Sequence, residues 1–102
     1  MDEADIEYNK RQYRLMLRKI DDYERGAIKL GELVGDLDAL RLALQNPSDH
    51  WLREFESAWG KLEDVFAVML DEGRSEFDAF DTELICNALR DIRLLVNSKL
   101  AV

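Results

Sequence analysis

The sequence predicts an all-α fold, a compact antiparallel bundle of four main helices with short loops, on three observations. Apolar residues recur at steps of three and four in four separate segments, and nowhere does a period of two run long enough to make a strand. The strongest breakers, Gly26, Asn46-Pro47 and Gly73, fall between those segments. A chain of 102 residues that is 47% hydrophobic and 35% charged has enough apolar side chain for one core and enough charge for a solvated surface. We therefore read residues 1–102 as a single helical-bundle domain, with no internal repeat of 20–50 residues.

The first helix is expected from about Asp5 to Glu24. Its core stripe is Ile6, Tyr13, Met16, Leu17, Ile20 and Tyr23, and Gly26 stops it in the left-handed conformation. The second runs from about Lys29 to Gln45, with Leu30, Leu33, Leu37, Leu40 and Leu44 as its stripe. Asn46 then serves as the cap of the third helix, with Pro47 at its first position, where a missing donor is harmless.

The third helix, Pro47 to Glu72, has the clearest pattern. Trp51, Phe55, Ala58, Trp59, Leu62, Val65, Phe66 and Met69 fall within a wedge of about 120°. Its two tryptophans mark it as the spine of the core, and Trp59 is expected to be central to it. In the linker from Gly73 to Asp81, Phe77 and Phe80 are expected to tuck into the end of the bundle. Asp81 or Thr82 is expected to cap the fourth helix, whose stripe is Leu84, Ile85, Ala88, Leu89, Ile92, Leu95 and Val96.

Little in this pattern supports catalysis. Cys86 is the only cysteine, so there is no intramolecular disulfide and no cysteine-based metal site; it reads as a small buried hydrophobe, slow to react while the chain is folded. His50 is the only histidine and reads as an exposed first-turn residue. A di-iron bundle needs two Glu-x-x-His pairs, which one histidine cannot supply, and no calcium loop or phosphate-binding glycine loop is present. The expectation is no enzyme, no cofactor and no metal. The first seven residues carry four acids rather than a basic leader, and no run approaches the roughly 18 apolar residues of a membrane span, which together point to the cytosol.

Charge is the informative property. The net charge is −8, which argues against nucleic acid or an anionic membrane as partner. Between Asp49 and Glu83 there are eleven acids and three bases, so this stretch holds nearly the whole excess. Such a concentration is either a solvated face or a docking surface for a cationic protein. The carboxylates expected to bind a partner are Glu63, Asp64, Asp71, Glu72, Glu76 and Asp78, followed by Glu32, Asp36 and Asp38. The first helix holds the opposite run, Lys10, Arg11, Arg14, Arg18 and Lys19, expected to pair with acids on a neighbouring helix. On the second helix Gly31, Gly35, Asp38 and Leu42 lie opposite the leucine stripe. They imply either close packing against the first helix or a surface where a foreign chain comes near the backbone, and Gly60 and Ala67 pose the same choice.

A family resemblance bears on this choice. Tyr23-x-x-Gly26-x-Ile28-x-Leu30-x-x-Leu33-Val34-x-x-Leu37-x-x-Leu40, followed by Phe55-x-x-x-Trp59-x-x-Leu62-Glu63, resembles small helical bacterial immunity proteins, including those of contact-dependent growth inhibition systems. The resemblance spans about residues 23–96, with the first helix largely outside it. It implies a cytosolic protein that binds a cognate toxin domain, a basic nuclease, and neutralises it, existing as a monomer or weak homodimer when free. The alternative is a homodimeric helical structural or regulatory protein, with Leu42 and Val68 in the self-interface.

Overall fold

A computed structural model of the chain describes residues 2–101. It contains four α-helices in sequence: α1 (Glu3–Glu24), α2 (Leu30–Ala43), α3 (Asp49–Glu72) and α4 (Ala79–Leu100). All regular structure among the described residues is helical. Each helix packs on two others. α1 lies against α2 and α4, α3 also lies against α2 and α4, and the pairs α1/α3 and α2/α4 are diagonals across the core. This is the antiparallel four-helix bundle expected from the apolar spacing and the short connections.

Helix ends follow capping chemistry. Asp2 caps α1, its carboxylate accepting the Asp5 N–H at 2.9 Å. Gly26 (φ 81°) turns the chain out of α1 while the Ala27 N–H reaches back to Asp22 O at 2.8 Å, satisfying a terminal carbonyl. Gly73 (φ 64°) does the same for α3, where the Arg74 N–H donates to Met69 O at 2.9 Å. Two expected caps are displaced. The N-cap of α3 is Ser48 rather than Asn46: its hydroxyl accepts the Trp51 N–H at 3.2 Å, and Pro47 lies before the helix. An N-cap takes extended backbone, as Ser48 does, whereas Asn46 takes a left-handed φ of 50° that asparagine tolerates and so cannot serve as the cap. The cap of α4 is Asp78, which makes a capping box with Asp81 three residues later, so α4 begins at Ala79.

The core is built on α3. Phe55 and Leu62 are fully enclosed, with Trp51, Ala58, Val65 and Met69 buried on the same stripe. Trp51 stacks on Phe55 with centroids 5.2 Å apart and receives the edge of Tyr13 at 5.5 Å, so it joins α3 to α1 across the diagonal. Its indole N–H donates to Leu95 O at 3.0 Å. Trp59 is not central, contrary to the sequence reading. It and Phe66 sit at the margin of the stripe, half-buried on the α2 side, where the Trp59 indole N–H donates to Val34 O at 2.9 Å. Phe66 also accounts for one of the unusual glycines. A Cβ on Gly31 would meet its ring at 2.7 Å, so α2 and α3 approach closely there; the close packing is with α3, not α1. Gly35 has open space above it and Leu42 is 69% exposed, so neither is buried against α1.

One polar residue belongs to the core. Asn9 is buried, donates its amide to Gln45 O at 2.8 Å, and accepts the Gln45 N–H at 2.8 Å. This paired exchange fastens α1 to the loop between α2 and α3. Asn9→Leu keeps the branched shape but leaves both groups of Gln45 without this partner. We expect a loss of about 1–3 kcal/mol, read as a lower urea midpoint with an unchanged slope.

Candidate functional site

The α3–α4 hairpin projects past the other two helices. Gly31, the second residue of α2, packs at Phe66, so the last six residues of α3 run on beyond the start of α2. On the other side, Tyr23 and Glu24 at the end of α1 share a cleft with Thr82, Ile85, Cys86 and Leu89 of α4 and with Phe77, which folds back from the loop, and the first turn of α4 lies beyond α1. Four of the expected partner-binding acids gather on this projection: Asp71 and Glu72 at the end of α3, Glu76 in the loop and Asp78 at the cap of α4.

Arg74 holds the loop in one shape. Its guanidinium donates to Glu72 Oε1 at 2.8 Å, to Asp81 Oδ2 at 2.8 Å and to the Glu76 carbonyl at 3.4 Å, and lies 3.8 Å from Asp78. Asp81 is thereby buried without being orphaned, because it also accepts the Asp78 N–H. Hydrogen bonding to Arg74 holds the Asp81 carboxyl below the usual carboxylate range and outweighs the opposing effect of burial. A carboxylate with a depressed folded pKa adds stability above its unfolded value of about 4, and that stability is lost as pH falls through the folded value. Hairpin amides are therefore expected to lose protection from hydrogen exchange first on acidification. Asp81→Asn should lower their protection at neutral pH and flatten that acid dependence.

The other expected site residues are distributed as follows. Glu63 and Asp64 are exposed on α3, and Asp64 lies seven residues from Asp71 on the same helical row. Asp64, Asp71, Glu76 and Glu63 make no ion pair among the described residues, so their charge is uncompensated. Glu32 is exposed in the first turn of α2. Asp36 and Asp38 are committed internally, Asp36 to Lys19 of α1 at 3.2 Å and Asp38 to Arg41, which also reaches Glu56 of α3 at 3.0 Å. The Asp36 pair links α2 to α1, the Asp38 pair lies within α2, and both carboxylates are thus partly neutralised.

The basic run on α1 departs from expectation. Lys19 makes the expected cross-helix ion pair, with Asp36. Arg11 lies over the Tyr8 ring at 5.8 Å, while Arg14 and Arg18 are exposed without an ion pair among the described residues. Since α1 is diagonal to α3, a basic ridge and an acidic face lie on opposite sides of one bundle. Arg93 of α4 pairs with Asp21 at 2.8 Å and with Glu24, which stitches α4 to the end of α1 and lowers the Glu24 carboxyl pKa.

Three side chains expected inside are outside. Phe80 is 68% exposed in the first turn of α4, Phe77 is exposed in the loop, and Cys86 is exposed on α4. Phe80 lies in the turn of α4 beyond the end of α1 at Glu24, whereas Phe77 and Cys86 line the cleft with Tyr23 and Glu24 and remain exposed there. Cys86 should consequently react with a thiol reagent in the native state within about tenfold of its rate in denaturant, since access rather than unfolding limits it. Labelling that waits for global unfolding would place Cys86 back in the core.

The residues that sequence reasoning missed are Arg74 and Asp81 as a clamp and Leu70 as an exposed apolar group. The Asp78-x-x-Asp81 spacing was the available signal for the first, and the off-stripe position of Leu70 for the second. No group of three or more histidine, cysteine, aspartate or glutamate side chains among the described residues is arranged to hold a metal ion, and no helix is long and apolar enough to cross a membrane. No protein-family model, curated protein or solved structure matches the chain.

Proposed function

We propose that this protein is an immunity-type inhibitor that binds a cognate toxin domain, a basic nuclease, in the cytosol and blocks it by occupying or covering its cationic cleft, with no catalysis and no cofactor of its own. The observation that carries this reading is the set of uncompensated carboxylates, Asp64, Asp71 and Glu76, on and beside a hairpin that projects from the bundle and is pinned by Arg74. Carboxylates on a rigid support attract a cationic partner at long range and require little ordering when they meet it. The resemblance to bacterial immunity proteins over residues 23–96 supports the same reading. The basic ridge of α1, on the far side, then orients the encounter by repelling the partner from the wrong face.

The test is co-expression with the toxin domain encoded beside this chain. The two should co-purify in a one-to-one complex, and the purified inhibitor should suppress nuclease activity in stoichiometric amounts. Undiminished nuclease activity at excess inhibitor overturns the proposal. The competing reading, a structural homodimer, draws on the exposure of Leu42 and Val68. It requires a dimer by light scattering of the free protein, and the net charge of −8 on each copy opposes one.

A further inference from the structure

The outer face of the α3–α4 seam is not covered by any other helix. A cleft of about 360 Å³ lies along it, with Glu54, Ser57 and Lys61 on the α3 side and Asp91, Leu94 and Leu95 on the α4 side. These residues fix which row of each helix borders the seam, and the helical repeat extends both rows to the hairpin. On α3 the row reaches Val68, seven residues past Lys61. On α4 it reaches Leu84 and Phe80, seven and eleven residues before Asp91. Val68 and Phe80 are exposed, with Leu84 half-buried in the same row. Leu94, at the other end, is 65% exposed. Apolar groups therefore mark both ends of one seam, fourteen residues apart along α4, or about 21 Å of helix axis.

Charge along the seam is polarised. Near the hairpin, Asp64, Asp71 and Glu83 flank Val68 and Phe80, and the nearest base, Arg74, is turned to Glu72 and Asp81. Arg53, Lys61 and Arg90, which make no ion pair among the described residues, lie in the other half, beside Glu54 and Asp91. An apolar strip in an acidic setting selects against a purely apolar occupant and against an acidic one. The total charge of −8 also opposes a second copy of the chain.

We propose that this seam is the docking groove for a basic amphipathic helix of the partner, about four turns long. Its apolar residues cover Val68, Leu84, Phe80 and Leu94, and its lysines or arginines meet Asp64, Asp71 and Glu83 at the hairpin end. This rests on the partner-binding reading above and names the element that is bound. The carboxylates set the rate of encounter, while the apolar strip sets how long the complex lasts, because buried apolar anchors rather than rim charges dominate dissociation.

The test uses a synthetic 18-residue helix of lysine and leucine, with leucines spaced to form one stripe, titrated into the whole protein and followed by NMR at two salt concentrations. A control peptide replaces the leucines by glutamine at the same charge. The leucine peptide should shift amides along α3 and α4, and the glutamine peptide should bind at least tenfold more weakly. The double variant Val68→Ser/Phe80→Ser, altered only at exposed positions, should weaken the leucine peptide at least tenfold. Leu42→Ser, on the α2 surface, should leave it unchanged. Equal binding of the two peptides, equal binding by the double variant, shifts centred on α2, or a free protein that dimerises through the seam would each overturn the groove. The partner-binding reading fails separately. A toxin neutralised as well by the double variant as by the wild type removes the groove and leaves that reading standing. Peptide binding that behaves as expected, without neutralisation of any toxin, does the reverse.

Discussion

Truncating Trp51 to alanine should destabilise the bundle by about 3–5 kcal/mol, the range for deleting a large aromatic from a packed core. Trp51 is almost wholly buried, stacks on Phe55, receives the edge of Tyr13 and donates its indole N–H to Leu95 O. Against the total stability of about 5–15 kcal/mol usual for a domain, this is a large share. Trp59→Ala should cost less, about 2 kcal/mol, because the ring is only partly buried at the edge of the core and the main loss is that burial and the bond to Val34 O. Urea midpoints of the two variants decide the order. A larger shift for Trp59 would move the centre of the core to the α2–α3 seam.

The difference between the two tryptophans shows what periodicity can and cannot convey. Spacing of three and four placed all four helices, because an amphipathic segment has only one way to bury its apolar stripe. Both Trp51 and Trp59 fit that stripe. Their places within the stripe differ: Trp51 lies near its middle, while Trp59, about 80° away round the helix, lies at its edge against Val34 of α2. Phe80 is exposed for a tertiary reason, because α1 stops short of the first turn of α4, while Cys86 and Phe77 border the end of α1 and are nonetheless open to solvent. Caps failed for a more local reason. Asn46 and Asp81 are both chemically able to cap, and the sequence offered Ser48 and Asp78 nearby as competitors; the left-handed backbone of Asn46 and the engagement of Asp81 with Arg74 decided between them. Of the acidic residues, local density alone separated the hairpin group from the rest. It did not distinguish Asp36 and Asp38, which are taken by Lys19 and Arg41, from Asp64 and Asp71, which are not.

That distinction sets the design of the charge-reversal experiment. Reversing Asp71, Glu72 and Glu76, the choice from sequence alone, would break the Arg74–Glu72 pair and confuse loosening of the hairpin with loss of charge. Reversing Asp64, Asp71 and Glu76 to lysine avoids this. All three are exposed, none makes an ion pair among the described residues, and Arg74 keeps Glu72, Asp81 and the backbone carbonyl of residue 76. Lysine near the end of α3 is also favourable to the helix dipole. Folding should therefore be preserved, with a urea midpoint no lower than that of the wild type. Association with the cationic partner should slow by about 10–100-fold at low ionic strength, because steering acts through the summed field of the face. The deficit should shrink as salt rises and the screening length falls to about 8 Å near physiological ionic strength. Dissociation should change less, since the apolar strip of the seam is untouched. Stopped-flow association across a salt series measures both effects at once. An association rate equal to the wild type at every salt concentration would reduce the acidic hairpin to a solvated surface, and would shift the search for the docking site to α2, where Gly35 lies open and Leu42 is exposed.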